Sequence, residues 1–256
     1  MTFSPSEWHD RFTLQARWTR DLRRYLFQKA GFQTASHILD VGCGTGVLIS
    51  ELSDLANVQV HGLDINRQYL NITVRQSSVA CLTQADAHTL PYISSIFDIS
   101  FCHFLLLWVV DPAKVVAEMA RVTKPGGAVL ALAEPDYGGR IDYPPELAQI
   151  GQWQQVALRS QAADPEMGRK LAGIFSCLGL KQVETGVLGG QWNTPLSPDD
   201  WESEWSVIHS DLHQIAQTPG FFNTFNALRN IDLSAREKGE RVLYVPTFYA
   251  WGIVPE

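Results

Sequence analysis

The stretch Ile38-Leu39-Asp40-Val41-Gly42-Cys43-Gly44-Thr45-Gly46 decides the fold. A short apolar run, His37 to Val41, ends in three alternating glycines, and a helical pattern opens at Thr45. Gly42 and Gly44 let the backbone turn tightly and let a ligand lie against it. The helix that follows offers unpaired N–H groups at its start. Two kinds of nucleotide-like ligand use such a loop. A dinucleotide site wants G-x-G-x-x-G with a pyrophosphate over the helix end. Here Val47 stands where the third glycine would be, and the third glycine comes one place early, at Gly46. The Asp40 carboxylate would also repel a pyrophosphate, whereas it suits a ligand carrying an ammonium and a sulfonium group. The loop therefore favours a cationic, amino-acid-bearing nucleoside over NAD, and disfavours a dehydrogenase.

Working outward, strand and helix patterns alternate. Strands are predicted over 57–65, 79–86, 97–103 and 128–134, with helices over 45–56, 66–77 and 111–122, the last with Asp111 as N-cap. Lys124-Pro125-Gly126-Gly127 predicts a turn. Strands separated by helices of this length imply a parallel sheet covered on both faces. Upstream, the spacing of Trp8, Phe12, Leu14, Trp18 and Leu22 predicts one helix from about Ser6 to a stop at Gly31. Downstream, helices are predicted over 144–163 and 166–178, a strand over 180–188, a Trp-rich helical segment over 191–239, and a last strand from Arg241 to Trp251.

Three further features fall at the carboxyl ends of successive strands, where open parallel sheets bind ligands. Asp64, 22 positions after Gly42 and followed by Ile65, closes Gly-Leu-Asp-Ile and can accept both hydroxyls of a ribose. Asp86, between Ala85 and Ala87, can accept an adenine amine. Cys102-His103-Phe104 can line the ligand with backbone groups. The expected cofactor-binding set is Asp40, Gly42, Cys43, Gly44, Gly46, Asp64, Ile65, Asp86, Ala87, Cys102 and His103.

At these residues the sequence resembles the class I S-adenosylmethionine-dependent methyltransferases, in particular the small-molecule branch that includes the ubiquinone and menaquinone biosynthesis enzymes. LDVGCGTG is similar to the family's first motif, GLDI to its ribose-binding acid and QADAHTLPY to its adenine-contacting segment. FDISFCHFLLLWVVDP and RVTKPGGAVLALAEP resemble its fourth and fifth strand motifs. The resemblance spans about residues 38–188 plus the last strand. It implies an α/β, Rossmann-like, seven-stranded and mostly parallel sheet with helices on both faces and an antiparallel last strand. It implies S-adenosyl-L-methionine as cofactor, with Asp40 and Gly42 at the amino-acid end, Asp64 at the ribose and Asp86 at the adenine. The expected organisation is one methyltransferase domain: an N-terminal helical cap (1–34), a cofactor-binding core (35–190), a helical lid (191–239) and the final strand (240–256). Leu107 stands where many relatives carry His, so a substrate contact of that kind is absent.

The reaction leaves few marks in a sequence, because displacement at a sulfonium-bound carbon asks mainly for alignment, exclusion of water and sometimes a proton acceptor. The expected catalytic residues are His103, at a strand end facing the pocket, and Tyr137, in AEPDYGGR just beyond the fifth strand. Glu134 and Asp136 in the same segment are further base candidates. Arg140 either binds a substrate anion or pairs with Asp142. His209 and His213 are four apart but lack the Glu of HExxH, so no metal is expected. The four cysteines form no CxxC pair, which suits reduced thiols in a cytoplasmic protein.

Composition narrows the partners. Lys and Arg number 20 against 27 Asp and Glu, a net charge of −7. That balance disfavours a nucleic-acid binder, whose phosphate contacts need a basic surface. No apolar run is long enough to span a membrane. The cationic residues near the start, Arg11, Arg17, Arg20, Arg23, Arg24 and Lys29, read as a solvated helix face. The expected partner is a small-molecule acceptor. Methylation of tRNA or protein, and cofactor binding without catalysis, are the alternatives, and an Asn-Pro-Pro-Tyr-like motif is missing after the fourth strand.

Overall fold

The computed structural model describes residues 4–53, 58–76, 81–189, 197–212 and 220–256. They fall into two compact units. The larger comprises Phe3–Glu134, Met167–Leu188 and Thr247–Glu256; the smaller includes Pro135–Glu166 and Gly189–Pro246.

The larger unit holds the sheet. Its strands are β1 (His37–Val41), β2 (Gln59–Asp64), β3 (Cys81–Gln84), β4 (Phe97–Cys102) and β5 (Thr123–Pro135). The smaller unit holds two strands of its own, β6 (Ile141–Tyr143) and β8 (Val242–Tyr244), while the sheet of the larger unit is completed by β7 (Lys181–Val187) and β9 (Thr247–Ile253). The order is β3-β2-β1-β4-β5-β9-β7, with β1 to β5 parallel and β9 antiparallel to β7. This is the seven-stranded Rossmann-like sheet expected from the sequence. The middle strands are apolar because both faces are covered: Ile38, Leu39, Val41, Ile99 and Phe101 are all buried. Helices α3 (Val47–Ser53), α4 (Arg67–Gln76), α5 (Pro112–Val122) and α7 (Leu171–Cys177) supply the flanking layers, and Asp111 caps α5 by accepting from the Lys114 N–H. Among the described residues no helix is long and apolar enough to cross a membrane.

Three local readings change. The N-terminal helix is two helices, α1 (Pro5–Trp18) and α2 (Arg20–Lys29), broken at Thr19 with φ −101° and ψ 4°. Apolar spacing cannot reveal that break, because Thr19 leaves the helical path through bonds of its own hydroxyl. Lys124–Gly127 is not a free turn but a bulge inside β5. Phe97 pairs with Thr123 while Ile99 pairs with Ala128, and Gly126 takes φ 76°. The last strand is also two. Pro246, which has no N–H for a ladder, separates β8 from β9, and β8 pairs with β6 in a two-stranded ribbon.

The smaller unit also contains α6 (Ala148–Ser160), α8 (Pro198–Asp211) and α9 (Phe221–Glu237). Leu147, Ile150, Trp205, Phe221, Phe225 and Leu228 bury one another in a core of its own. Most aromatic residues of the 191–239 segment are thus packing residues; Phe222 is exposed, and Trp192 lies outside the described residues.

Candidate functional site

The glycine loop leaves β1 and is pinned to the end of β2. The Gly42 and Cys43 N–H groups both donate to the Leu63 carbonyl, at 2.7 and 2.9 Å. Gly42 and Gly44 have φ of 75° and 53°, a region that L side chains rarely adopt. A Cβ on Gly42 would lie 2.6 Å from the Leu105 side chain, and one on Gly44 would lie 3.3 Å from the Phe12 ring. Phe12 comes from α1, stacks on Trp8 and meets Tyr69 of α4 edge-on. His9 Nδ1 lies 2.9 Å from Thr45 Oγ1. The N-terminal helix therefore closes directly onto the loop.

The two carboxylates beside the loop behave differently. Asp64 accepts from the Gly44 N–H at 2.8 Å and the Asn66 N–H at 2.7 Å, so it shapes the loop as well as facing it. Burial raises its pKa while these bonds oppose the shift. Asp40 is 2% exposed, and its carboxylate accepts no hydrogen bond from the described residues. Burial and the nearby Asp64 charge hold its carboxyl well above the usual range, and Arg23 opposes them. A buried carboxylate left without donors is costly unless something cationic completes it.

Arg23 is the residue that sequence reasoning missed most clearly. It is not on a solvated face but 1% exposed. It donates to the Ala16 carbonyl, the Thr19 hydroxyl and the Glu51 carboxylate. A signal was present: Ala16, Thr19, Arg23, Leu26 and Phe27 form one buried stripe at helical spacing. Arg17, Arg20, Arg24 and Lys29 are exposed as expected.

At the end of β4, His103 Nε2 lies 2.9 Å from Thr19 Oγ1. Burial, with a smaller push from Arg23, takes this imidazole down to about 3. A ring held that low is neutral and a weak proton acceptor near pH 7. Cys43 and Cys102 are buried with their thiols pushed up, so they offer backbone atoms rather than nucleophiles. Glu134, a base candidate on sequence, is fully buried and accepts from the N–H groups of Leu105, Leu106 and Leu107. It is committed to the backbone of that loop.

After β3, Asp86 is an exposed carboxylate oriented by His88. The His88 N–H and ring Nδ1 both reach Asp86 Oδ1, at 2.9 and 2.7 Å, and His88 Nε2 accepts from the Asp111 N–H. The ring proton therefore sits on Nδ1, facing the carboxylate. Ile65, beside Asp64, is 69% exposed, and Ala87 is buried.

Tyr137 belongs to the smaller unit, outside the unit that carries the loop and His103. Its N–H donates to Pro165 and its carbonyl accepts from Gln155. Asp136 caps that turn through the Gly139 N–H. Arg140 pairs with Asp142 at 2.6 Å, the structural one of its two readings. His209 packs on Phe225; His213 lies outside the described residues. No cluster of three or more metal-ligating side chains occurs among the described residues.

A methyltransferase-domain family profile matches residues 39–131, the segment that contains the loop, Asp64, Asp86 and the end of β4. Residues 39–131 thus carry a methyltransferase domain. The chain is 38% identical over 93 residues to a malonyl-[acyl-carrier protein] O-methyltransferase of Buchnera aphidicola, covering 36% of this chain and 37% of that protein. It is 34% identical over 122 residues to a demethylmenaquinone methyltransferase of Renibacterium salmoninarum, covering 47% and 51%. The chain thus spans about half or less of the curated relatives it matches. Among solved structures, Haemonchus contortus phosphoethanolamine N-methyltransferase 2, in complex with phosphomonomethylethanolamine and S-adenosylhomocysteine, shares the fold. Its TM-score is 0.57 at 17% identity, with 93% of this chain and 53% of that one covered.

Proposed function

We propose that the chain binds S-adenosylmethionine at the glycine loop and transfers its methyl group to a small-molecule acceptor. The observation that carries this reading is Asp40: a buried carboxylate that accepts no hydrogen bond among the described residues, two residues before Gly42 of the glycine cradle and beside Asp64. The residues fit the cofactor. Asp40 would pair with the ammonium of its amino-acid end, Gly42 to Gly46 would admit it against bare backbone, Asp64 would hold the ribose hydroxyls, and Asp86, oriented by His88, the adenine amine. The exposed Ile65 would cover an adenine face. Similarity to a demethylmenaquinone methyltransferase supports a small acceptor.

S-adenosylmethionine supplies a methyl group already activated by its sulfonium. The chain's own contribution is then to bind, to align and to keep water out. Phe12 and Trp8 close α1 over the loop. His103, low in basicity and bonded to Thr19, serves as a neutral wall. Burial pushes the Glu134 carboxyl up to about 7 against its three N–H bonds, and both its oxygens are spent on the 105–107 backbone. Tyr137 is the remaining proton-acceptor proposal.

Calorimetric titration with S-adenosylmethionine, S-adenosylhomocysteine and NAD tests the reading. The first two should bind and NAD should not, and Asp64→Ala should abolish the binding. Affinity for NAD alone, or full affinity in the variant, would overturn the assignment. A purified protein that binds the cofactor yet methylates no quinone, acyl or amine acceptor would be a binder rather than an enzyme.

A further inference from the structure

The geometry points to Glu134 as a positioning residue of the cofactor loop, acting at a distance through the segment that follows β4. This inference rests on the cofactor reading above. Glu134 ends the buried part of β5 and has no solvent exposure. Its Oε1 accepts from the Leu105 and Leu106 N–H groups at 3.0 and 2.8 Å, and its Oε2 from Leu107 at 3.1 Å. Three consecutive N–H groups converging on one carboxylate form an anion nest, and here the anion is supplied by the chain itself.

The nest sets a backbone that would not hold alone. Phe104 has φ 54°, the left-handed region, at a non-glycine residue. Such a conformation persists only when its surroundings impose it. The Phe104 N–H is tied to the Ala133 carbonyl at 2.9 Å, and Glu134 holds the next three residues. Together they reverse the chain directly after His103.

The reversal has one contact with the cofactor loop that explains its purpose. The Leu105 side chain occupies the space where a Cβ on Gly42 would lie, its Cδ1 only 2.6 Å from that point. Leu105 therefore fixes how far the first glycine can move. Each of the two loop glycines named above is thus held from outside: Gly44 by the Asp64 carboxylate, Gly42 by Leu105. Behind Leu105 stands Glu134. Nothing in this arrangement requires Glu134 to touch cofactor or acceptor.

Glu134→Gln is the discriminating variant. The amide oxygen can still accept from Leu105 and Leu106, but the amide N–H₂ then faces the Leu107 N–H, a donor against a donor. Leaving a buried donor without an acceptor should relax the segment. Leu105→Ala cuts the same path at its other end without altering the nest. Calorimetry with S-adenosylhomocysteine should show affinity lowered about tenfold in each single variant. The double variant should be scarcely worse than either, because one path is cut twice. Hydrogen exchange on the ligand-free proteins should show the 105–107 amides protected in the wild type and in Leu105→Ala, and Leu107 unprotected in Glu134→Gln.

Unchanged affinity in Glu134→Gln, with only a lower Tm, would make Glu134 a fold residue and overturn the inference. Additive losses in the double variant would also overturn it. Full affinity with a collapse of turnover would make Glu134 a proton acceptor instead. If the wild type itself fails to bind S-adenosylhomocysteine, the cofactor reading falls and this inference falls with it. Binding by the wild type with no change in the variants removes this inference alone.

Discussion

Asp40 and Asp232 are equally buried, each 2% exposed, and they teach opposite lessons. Asp232, on α9 of the smaller unit, accepts from the indole N–H groups of Trp201 and Trp205 and from Arg236 and Arg241. Burial alone would raise its pKa, but these partners outweigh it and hold the carboxyl below its usual range. Arg241 continues to Asp142, Asp142 to Arg140, and Arg236 to Glu204. Three cations face three anions, so the network closes on itself. Asp40 has no such closure, and its pKa shifts the other way. Burial alone therefore does not separate these two residues; the unfilled hydrogen-bonding capacity of the Asp40 carboxylate does.

The largest expected effect comes from breaking the closed network. Asp232→Ala should cost about 3–5 kcal/mol in urea unfolding, because it removes the shared acceptor of two indole N–H groups and of Arg236, and leaves the enclosed Arg241 guanidinium with Asp142 as its carboxylate partner. A loss below about 1 kcal/mol would mean that solvent replaces the carboxylate, and the contrast with Asp40 would collapse. Asp40→Asn should behave the other way round. Stability should change by less than about 1 kcal/mol, since no bond is lost, while S-adenosylhomocysteine binding should weaken by about 2 kcal/mol through loss of a charge-assisted contact. Equal losses in stability and affinity would place Asp40 in the same class as Asp232.

A finer test uses protons. The Asp40 pKa is raised in the free protein, and an ammonium partner favours the carboxylate. Binding should therefore release a proton wherever the pH lies below that raised value, and affinity should rise with pH across the same window. Titrations in buffers of different ionisation enthalpy would count the proton, and Asp40→Asn should abolish it. The smallest effect concerns His103. Its folded pKa, about 3, lies below the ordinary 6.5, so the unfolded chain binds the proton first. The stability that His103 contributes is present above pH 6.5 and is lost as pH falls from 6.5 toward 3. His103→Gln should flatten that limb of the stability profile; an unchanged slope would place the ring in contact with solvent.

The parallel sheet was legible because its signals are local. Apolar runs of five or six residues, glycines at the first crossover and acids at strand ends each depend on neighbours in sequence. The positions of Asp40, the glycines, Asp64 and Asp86 were read from the chain alone. Breaks that depend on a single side chain's distant partners were not legible. Thr19 interrupts a helix whose apolar spacing is continuous, through Arg23 and His103. The split at Pro246 carried a signal, a proline inside a strand pattern, but the pairing of β8 with β6 depends on residues about a hundred positions upstream.

The sequence by itself determined the sheet, the loop and the charge of the residues around it, since periodicity and residue type are sufficient for those. The tertiary structure decided which charges are free. Arg23 and Glu134 carried a surface and a catalytic role in sequence, and are instead bound to partners 28 and 27 to 29 residues away, while of the two readings of Arg140 the structure selects the pairing with Asp142. Hydrogen bonds are short-ranged and directional, so whether a polar group has a partner depends on ångström-scale geometry that no spacing along the chain encodes.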